Sequence, residues 1–384
     1  EEKIKFRSKK ISEIEAEYSK RTGLVCNVIT FYNGGRYSLY GYKRFKDIRL
    51  VFAPETVLGF FGGDPDNFTY PRYDLDMSFM RIYDDNGKPY KTDKYFKWSS
   101  GGAKEGDAVF VVGNPGKTNR YNTIAQLEFN RDVAYPYTLS LLTNMVNIYN
   151  GLIAKYPDKK HFYENTLFGF SNSQKVYSGI VSGLMDEYLM AKKKDFERKL
   201  KAAVFAKPEL RQKYSAVWDE IEKVQTEKAK IFGDVSSYNF RMNGKSNIFF
   251  TAAELVNIAY MSRLPETSRP NAYKGAALDS LKAKFGPASF NPEIEVRILT
   301  SQLEGILNGL GKTKDVEKLF GGKSPVELAA AIIKESKLTD KKEIEELFKD
   351  NCEKIFSSND PVLQFIVNTY YKASEVTDKY KELQ

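Results

Sequence analysis

The pattern of apolar residues changes once along this 384-residue chain, and that change constrains the fold more than any other feature. Before about residue 122, apolar residues form short runs rich in β-branched and aromatic side chains, separated by turn formers, as is typical of antiparallel strands. After it, apolar residues recur at every third or fourth position, as is typical of amphipathic helices. The sequence therefore predicts an α+β chain, with a β domain over residues 1–122 and an all-α domain over residues 123–384.

The first part begins with a predicted amphipathic helix, because Ile11, Ile14 and Tyr18 share one helical face. Short strands with brief turns between them follow it, and this favours an antiparallel barrel or sandwich over alternating strands and helices. The predicted strands are Val25–Tyr32, Tyr37–Phe45, Ile48–Ala53, Met77–Tyr83, Tyr95–Trp98 and Ala108–Gly113. In the helical part, Pro136 is well placed at a helix start. Breaks are expected at Pro157, near Gly244, from Pro265 to Pro287, and at Pro325.

Composition narrows the classes of function. The net charge is +9, but the lysines are scattered along helical stretches and mixed with acids, as in Ala191–Tyr214. This pattern favours solvated helix faces over a nucleic-acid groove. No apolar run approaches the roughly 18 residues that a membrane span requires. The two cysteines, Cys26 and Cys352, give neither a zinc site nor a disulfide framework. The first residue is Glu1, without Met or a signal sequence, so we expect a processed protein or a fragment.

Two motifs that suggest chemistry are better explained structurally. The Gly-Lys pairs in Asn308–Thr313 and Gly321–Ser324 lack the earlier glycine of a phosphate-binding loop and lie between predicted helices, so nucleotide binding is not expected. His161 is the one histidine, in a lysine-rich segment, and a surface role is favoured. A catalytic triad inside this chain would have to use it, and a site with several histidine ligands is excluded.

The stretch from Gly62 to Tyr83 does not read as a plain loop. Its glycines and the run Asp64-Pro65-Asp66-Asn67 are turn chemistry, and Asp76 follows where a strand begins. Such a turn could hold polar groups at the edge of a sheet. The alternative from spacing alone is that Asp66 and Asn67 close the turn and Asp76 is merely solvated.

At these residues the chain resembles the bacterial periplasmic serine exopeptidases of the dipeptidyl-peptidase VII and XI type. Asp47–Tyr90 and Gly113–Thr123 are similar to that family's Asp-Val-Arg-Leu-Val, Phe-Gly-Gly-Asp-x-Asp-Asn-Trp, Trp-Pro-Arg-His, Asp-Phe-Ser and Gly-Tyr-Pro-Gly-x-Thr patterns. The resemblance implies part of an antiparallel, chymotrypsin-like β-barrel followed by a large all-α domain. It also implies that the triad histidine and serine lie outside these residues, because no Gly-Asn-Ser-Gly-type turn occurs in the chain.

Site residues follow from the resemblance by position. Asp76 matches the triad aspartate, Asn67 the asparagine that binds the substrate's N-terminal amine, and Phe68 a substrate-binding aromatic where the family has Trp. Tyr70 and Tyr73 depart from the family's Trp and His, and Asn172 is a further candidate polar contact in the loosely matching helical half.

The activity that the resemblance implies is release of dipeptides from peptides with a free N-terminus, in the periplasm or outside the cell, without cofactor or metal. No nucleic-acid partner and no membrane span are expected. A homodimer of the full-length enzyme, and a catalytically inactive relative that only binds peptides or a partner, are left open.

Overall fold

The chain is α+β. The computed structural model describes residues 2–59, 69, 71, 74–110, 113, 119–240, 245–285 and 290–384. Backbone contacts divide the chain into two compact units, Glu1–Asn114 and Pro115–Gln384. We call them the β unit and the helical unit, and each is described by itself.

The β unit begins with the predicted helix and continues with two antiparallel strand pairs. Its elements are α1 (Glu2–Thr22), β1 (Val25–Phe31), β2 (Arg36–Tyr42), β3 (Asp47–Phe52), α2 (Thr56–Gly59) and β4 (Phe79–Tyr83). Strand β1 pairs with β2 and β3 pairs with β4, which forms two separate two-stranded sheets among the described residues. The β1–β2 turn is a 3-10 turn over Tyr32–Gly34, and Gly34 has a φ of 98°, a conformation that favours glycine.

The strand predictions at Tyr95–Trp98 and at residues 108–110 are wrong, because neither segment forms a strand. A strand requires a partner for its backbone N–H and C=O groups, and the described residues offer none to these segments. Their large side chains lie in solvent; Phe96, for example, is 86% exposed.

The described part of the β unit contains little buried apolar surface. Cys26 is its one buried apolar residue, whereas Leu50 in β3 and Met80 in β4 are 65% and 63% exposed. A two-stranded sheet with solvated faces is marginally stable in water. Further packing surface is therefore needed to stabilise this unit.

The regular elements of the helical unit are all helices in its described residues. Its longer helices are α4 (Tyr135–Lys155), α5 (Lys160–Met185), α6 (Glu187–Phe205), α8 (Val217–Tyr238), α9 (Asn247–Arg263), α11 (Pro292–Leu310), α13 (Pro325–Glu335) and α15 (Pro361–Glu382). Its shorter ones are α3 (Ile124–Phe129), α7 (Pro208–Tyr214), α10 (Gly275–Lys282), α12 (Lys314–Phe320) and α14 (Lys341–Leu347). One π-helical turn, Asn130–Ala134, joins α3 to α4. No helix in the described ranges is long and apolar enough to cross a membrane.

Helix boundaries follow the local chemistry of the sequence. Pro136 lies in the first turn of α4, as predicted, and the break predicted at Pro325 coincides with the start of α13. Thr313 caps α12 by accepting the N–H of Val316, and Ser324 caps α13 in a capping box with Glu327. Both Gly-Lys pairs thus lie at junctions between helices, where the sequence placed them.

The core of the helical unit surrounds α9. Phe249, Leu255 and Ile258 are completely buried, and each contributes about 1.5 to 3 kcal/mol relative to an exposed side chain. They pack with buried side chains of α11 to α15. A smaller cluster joins α4, α5 and α11 through Met145, Ile148, Leu152, Tyr163 and Ile298.

Two polar or small-residue contacts hold α11 against its neighbours. The buried Glu295 carboxylate accepts the Ser246 hydroxyl at 2.8 Å and the Asn247 N–H at 3.2 Å, at the N-terminus of α9. Helix α11 also crosses α8 closely, because a Cβ added to Gly309 would lie 3.0 Å from the Gly233 carbonyl oxygen. The position of α11 is therefore well determined.

Candidate active site

Asp76 lies in the β unit, three residues before β4. The backbone on either side of it is fixed by short hydrogen bonds: the Leu75 N–H donates to Leu58 O, and the Met77 N–H donates to Leu75 O, both at 2.9 Å. The first of these bonds connects the segment to helix α2. The approach to Asp76 is therefore held by the turn that follows β3.

The far end of β4 is fixed by an ion pair on β3. Arg49 donates through Nη2 and Nε to the two carboxylate oxygens of Asp47, at 2.7 and 3.0 Å. These hydrogen bonds from the guanidinium lower the pKa of the exposed Asp47 carboxyl. The same guanidinium lies 3.8 Å from the ring centroid of Tyr83, which is paired with Asp47 across the sheet. The register of β4, and with it the direction of the Asp76 segment, is set on both sides.

The Asp76 side chain itself is exposed. Within the part of the chain that the structure describes, it has no hydrogen-bond or ion-pair partner. An aspartate in this state has both oxygens available to accept an imidazole N–H, which is the role of the acid in a catalytic triad.

The other predicted site residues are distributed over both units. Asn67 and Phe68 lie outside the described residues. Asn172 is exposed on α5, next to the buried Ser171. Gln174 of the same helix donates to Thr143 Oγ1 of α4 at 3.0 Å, which fixes the rotation of α5 about its axis.

His161 behaves as a surface residue, as predicted. Its side chain is 97% exposed, and its Nδ1 lies 3.2 Å from the carboxylate of Glu164, one turn along α5. Both cysteines are buried free thiols, so the expectation of no disulfide between them agrees with the structure. Among the described residues, no group of three or more His, Cys, Asp or Glu side chains is arranged to hold a metal ion.

Comparison with known proteins identifies the family. The sequence family described as Peptidase S46 matches residues 1–384. The chain belongs to the peptidase S46 family. This confirms the resemblance drawn from Asp47–Tyr90 and Gly113–Thr123.

The relatives in this family carry dipeptidyl-peptidase names. An Asp/Glu-specific dipeptidyl-peptidase of Shewanella putrefaciens is 30% identical over 295 residues, which cover 73% of this chain and 40% of that protein. Dipeptidyl-peptidase 7 of Porphyromonas endodontalis is 41% identical over 121 residues, covering 29% of this chain and 15% of that protein. The chain therefore spans less than half the length of these S46 relatives.

A solved structure shows that the fold is shared. The crystal structure of Porphyromonas endodontalis DPP11 in complex with the dipeptide Arg-Glu matches with a TM-score of 0.66 at 21% sequence identity. The match covers 97% of this S46 chain and 55% of that chain. At this identity the likeness concerns the fold, and it supports the α+β architecture.

Sequence reasoning missed one polar site in the helical unit. Lys245 and Gln302 are both buried, and both line a cavity. No sequence signal brings them together, because one precedes α9 and the other lies in the middle of α11. Lysine near a predicted helix break is ordinarily solvated, and only the packing of α11 against α8 shows that this one is not.

Proposed function

We propose that this chain is part of a serine-type dipeptidyl-peptidase that releases dipeptides from peptide N-termini. The observation that carries the proposal is the S46 family match over residues 1–384, together with the dipeptidyl-peptidase names of its relatives. The fixed backbone on both sides of an exposed Asp76 supports its assignment as the triad acid. The catalytic serine and histidine of this proposal come from outside residues 1–384.

In the proposed reaction, the serine oxygen attacks the carbonyl carbon of the second residue while the histidine accepts the serine proton. Collapse of the tetrahedral intermediate breaks the C–N bond, and the histidine returns the proton to the leaving amine. Water then hydrolyses the acyl-enzyme by the same route, which releases the dipeptide. Asp76 accepts the N–H of the histidine and stabilises the imidazolium formed in each step. No cofactor or metal is required by this chemistry.

The remaining assignments concern recognition. Through its amide oxygen, Asn67 would accept a hydrogen bond from the ammonium group at the substrate N-terminus. Holding that group would place the bond after the second residue at the catalytic serine. Phe68 would form an apolar wall beside it, and Asn172 would supply a further polar contact. We place the enzyme in the periplasm or outside the cell on the basis of the family resemblance, and a homodimer of the full-length protein is left open.

The alternative is a catalytically inactive relative that binds peptides or a partner. The complete reading frame distinguishes the two, because an active enzyme requires the codons for a triad serine and histidine. The 384-residue chain by itself is expected to release no dipeptides. Steady release by the pure chain, unchanged by Asp76→Asn, would show that the chemistry is misassigned.

The decisive experiment compares two variants of the complete enzyme. Asp76→Asn favours the wrong histidine tautomer and removes the charge beside the imidazolium, so kcat should fall by roughly 10⁴ with KM little changed. Asn67→Ala removes a hydrogen bond to a charged group, worth about 1.5 to 3 kcal/mol, that exists before and during the chemical step. Its loss should appear largely in KM.

Two controls make the comparison specific. Asp85→Asn removes an exposed carboxylate from the turn after β4 and should leave both constants unchanged. An N-acetylated peptide should be a poor substrate compared with the free peptide of the same sequence. If the acetylated peptide is cleaved equally well, Asn67 is not an amine anchor and the exopeptidase assignment is wrong, even if Asp76 proves catalytic.

A further inference from the structure

A cavity of about 640 Å³ lies within the helical unit, lined by residues of α4, α8 and α11. Asn172, the predicted site residue of this unit, is not among the residues that line it. Helices α8 and α11 are in contact at Gly233 and Gly309, so the two walls that they form cannot approach further. The close approach of the two glycines therefore fixes the separation of these walls.

Its inner wall carries a buried ammonium group. Lys245 is 8% exposed, and its Nζ donates to the carbonyl oxygen of Ser236 at 2.7 Å. The same Nζ lies 5.9 Å from the ring centroid of Tyr137. No carboxylate among the described residues forms an ion pair with it, and burial lowers its pKa to about 8. Charged groups buried in this way are normally paired with an opposite charge.

The lining of the same cavity contains a buried donor without an acceptor among the described residues. Gln302 is also 8% exposed, and its Oε1 accepts the backbone N–H of Ser246, the residue after Lys245, at 3.1 Å. That bond fixes which end of the amide is oxygen and which is nitrogen. Gln302 Nε2 is buried and has no acceptor in the described ranges of the chain. An ammonium and an amide N–H, both short of acceptors, call for an anionic ligand.

The exposed residues that line the mouth of the cavity include two with negative charge. Asp132 and Glu304 both line it, and both are exposed. Asp132 is paired with its neighbour Arg131 at 2.7 Å, which partly compensates its charge. Two carboxylates at the rim disfavour a dianion such as phosphate, but they suit a ligand with a positive group at its outer end. The arrangement matches a zwitterion that enters with its carboxylate first.

We propose that this cavity, centred on Lys245 and Gln302, binds the carboxylate of a small zwitterionic ligand of the amino-acid or dipeptide class. The Lys245 ammonium has three N–H groups, of which the Ser236 carbonyl uses one, so two remain for a carboxylate. Gln302 Nε2 adds a neutral donor in the lining of the same cavity. The inference stands apart from the proposed peptidase activity, because its test measures binding alone and no turnover.

The test uses the 384-residue chain and glycylglycine as the probe. Isothermal titration calorimetry and thermal unfolding should show binding, with an unfolding midpoint that rises with glycylglycine concentration. Inorganic phosphate should bind more weakly than glycylglycine. Lys245→Met removes the ammonium at similar side-chain volume, and affinity should fall by at least about tenfold, as for loss of a hydrogen bond to a charged group.

Two further variants complete the design. Gln302→Glu keeps an acceptor for the Ser246 N–H but removes the free N–H and adds a negative charge, so it should abolish binding. Lys312→Met removes a lysine that is exposed between α11 and α12, and it should bind as the wild type does. Far-UV circular dichroism verifies that each variant is folded. If Lys245→Met does not fold, glycylglycine binding by Gln302→Glu decides whether the ligand occupies this cavity.

Three outcomes would overturn the proposal. The first is the absence of glycylglycine binding by the wild-type chain. The second is wild-type affinity in folded Lys245→Met or in Gln302→Glu, which would place the ligand elsewhere. The third is tighter binding of phosphate than of glycylglycine, which would show that the rim carboxylates do not select a zwitterion.

Discussion

The buried Lys245 should make the stability of the helical unit depend on pH in the alkaline range. The perturbation is Lys245→Met, which removes the titrating group and keeps most of the side-chain volume. Burial lowers the pKa of Lys245 from 10.5 in the unfolded chain to about 8 in the folded one. With about 1.4 kcal/mol for each pH unit, the difference of roughly 2.5 units corresponds to about 3 kcal/mol against folding near neutral pH.

The sign follows from proton binding. Between pH 8 and 10.5 the unfolded chain keeps the lysine proton and the folded chain loses it, so the free energy of unfolding rises with pH. Below about pH 8 both states are protonated, and the unfavourable contribution is constant. Raising the pH from about 7 to about 10 should therefore stabilise the wild type by about 2.5 kcal/mol relative to Lys245→Met.

The pH slope is a sharper test than the stability at a single pH. At neutral pH the variant is relieved of the buried charge, but it also loses the 2.7 Å hydrogen bond from Nζ to the Ser236 carbonyl. A hydrogen bond to a charged group is worth about 1.5 to 3 kcal/mol, so the two effects oppose each other. What changes between about pH 7 and about pH 10 is the protonation of Lys245, so the pH dependence of the stability difference reports the buried charge.

Urea unfolding monitored by far-UV circular dichroism, from about pH 7 to about pH 10, measures the difference directly. Tyrosines and other lysines titrate in the same range, but they are common to both proteins and cancel in the comparison. Lys312→Met changes an exposed lysine, and its free energy of unfolding should vary with pH in the same way as that of the wild type. If Lys245→Met also runs parallel to the wild type, Lys245 is not desolvated in the folded protein and the reasoning is refuted.

Three further predictions concern stability and are checked by thermal or urea unfolding. Gly309→Ala should destabilise by about 1 to 3 kcal/mol, because its Cβ would lie 2.2 Å from Ser237 Oγ; Gly305→Ala, in open space on the same helix, should be neutral or stabilising. Residues 115–384 expressed alone should unfold cooperatively, and a non-cooperative transition would contradict the core assignment. Asp350→Gly should raise the midpoint slightly, since Asp350 has a φ of 51°, and a lowered midpoint would contradict this.

The sequence predicted the parts of the fold that depend on local chemistry. The period of apolar residues located α1 and the helical unit. Pro136 marked a helix start because proline suits the first turn, and Pro325 marked a break between helices. The strands β1 to β4 were found to within a few residues. Tyr95–Trp98 has the composition of a strand but none of its pairing, because pairing depends on a partner that composition does not reveal.

The candidate site was predicted unevenly for the same reason. Asp76 was proposed through a resemblance that covers a long local motif, and the structure adds the backbone bonds that hold its segment. Lys245 and Gln302 could not be found, because their proximity depends on how α11 packs against α8 and α9. The spacing of apolar residues by three or four positions predicts where helices form, but it does not show which helices pack against each other.

The proposed catalytic role of Asp76 requires a more rigid β unit than its described residues form by themselves. A triad aspartate must be held to within about half an ångström of its productive position by rigid surroundings. Strands β3 and β4 fix the direction of the segment, but Leu50 and Met80 on them are largely exposed, and the sheet has two strands among the described residues. Such a sheet is only marginally stable in water, and its fluctuations would move Asp76 by more than the triad tolerates. On the proposed function, surfaces that cover β3 and β4 are therefore a condition for catalysis as well as for folding. Polar substitutions such as Leu50→Ser should accordingly reduce kcat in the complete enzyme although Leu50 is remote from the chemistry, whereas full activity with an unchanged unfolding midpoint would show that this face needs no cover.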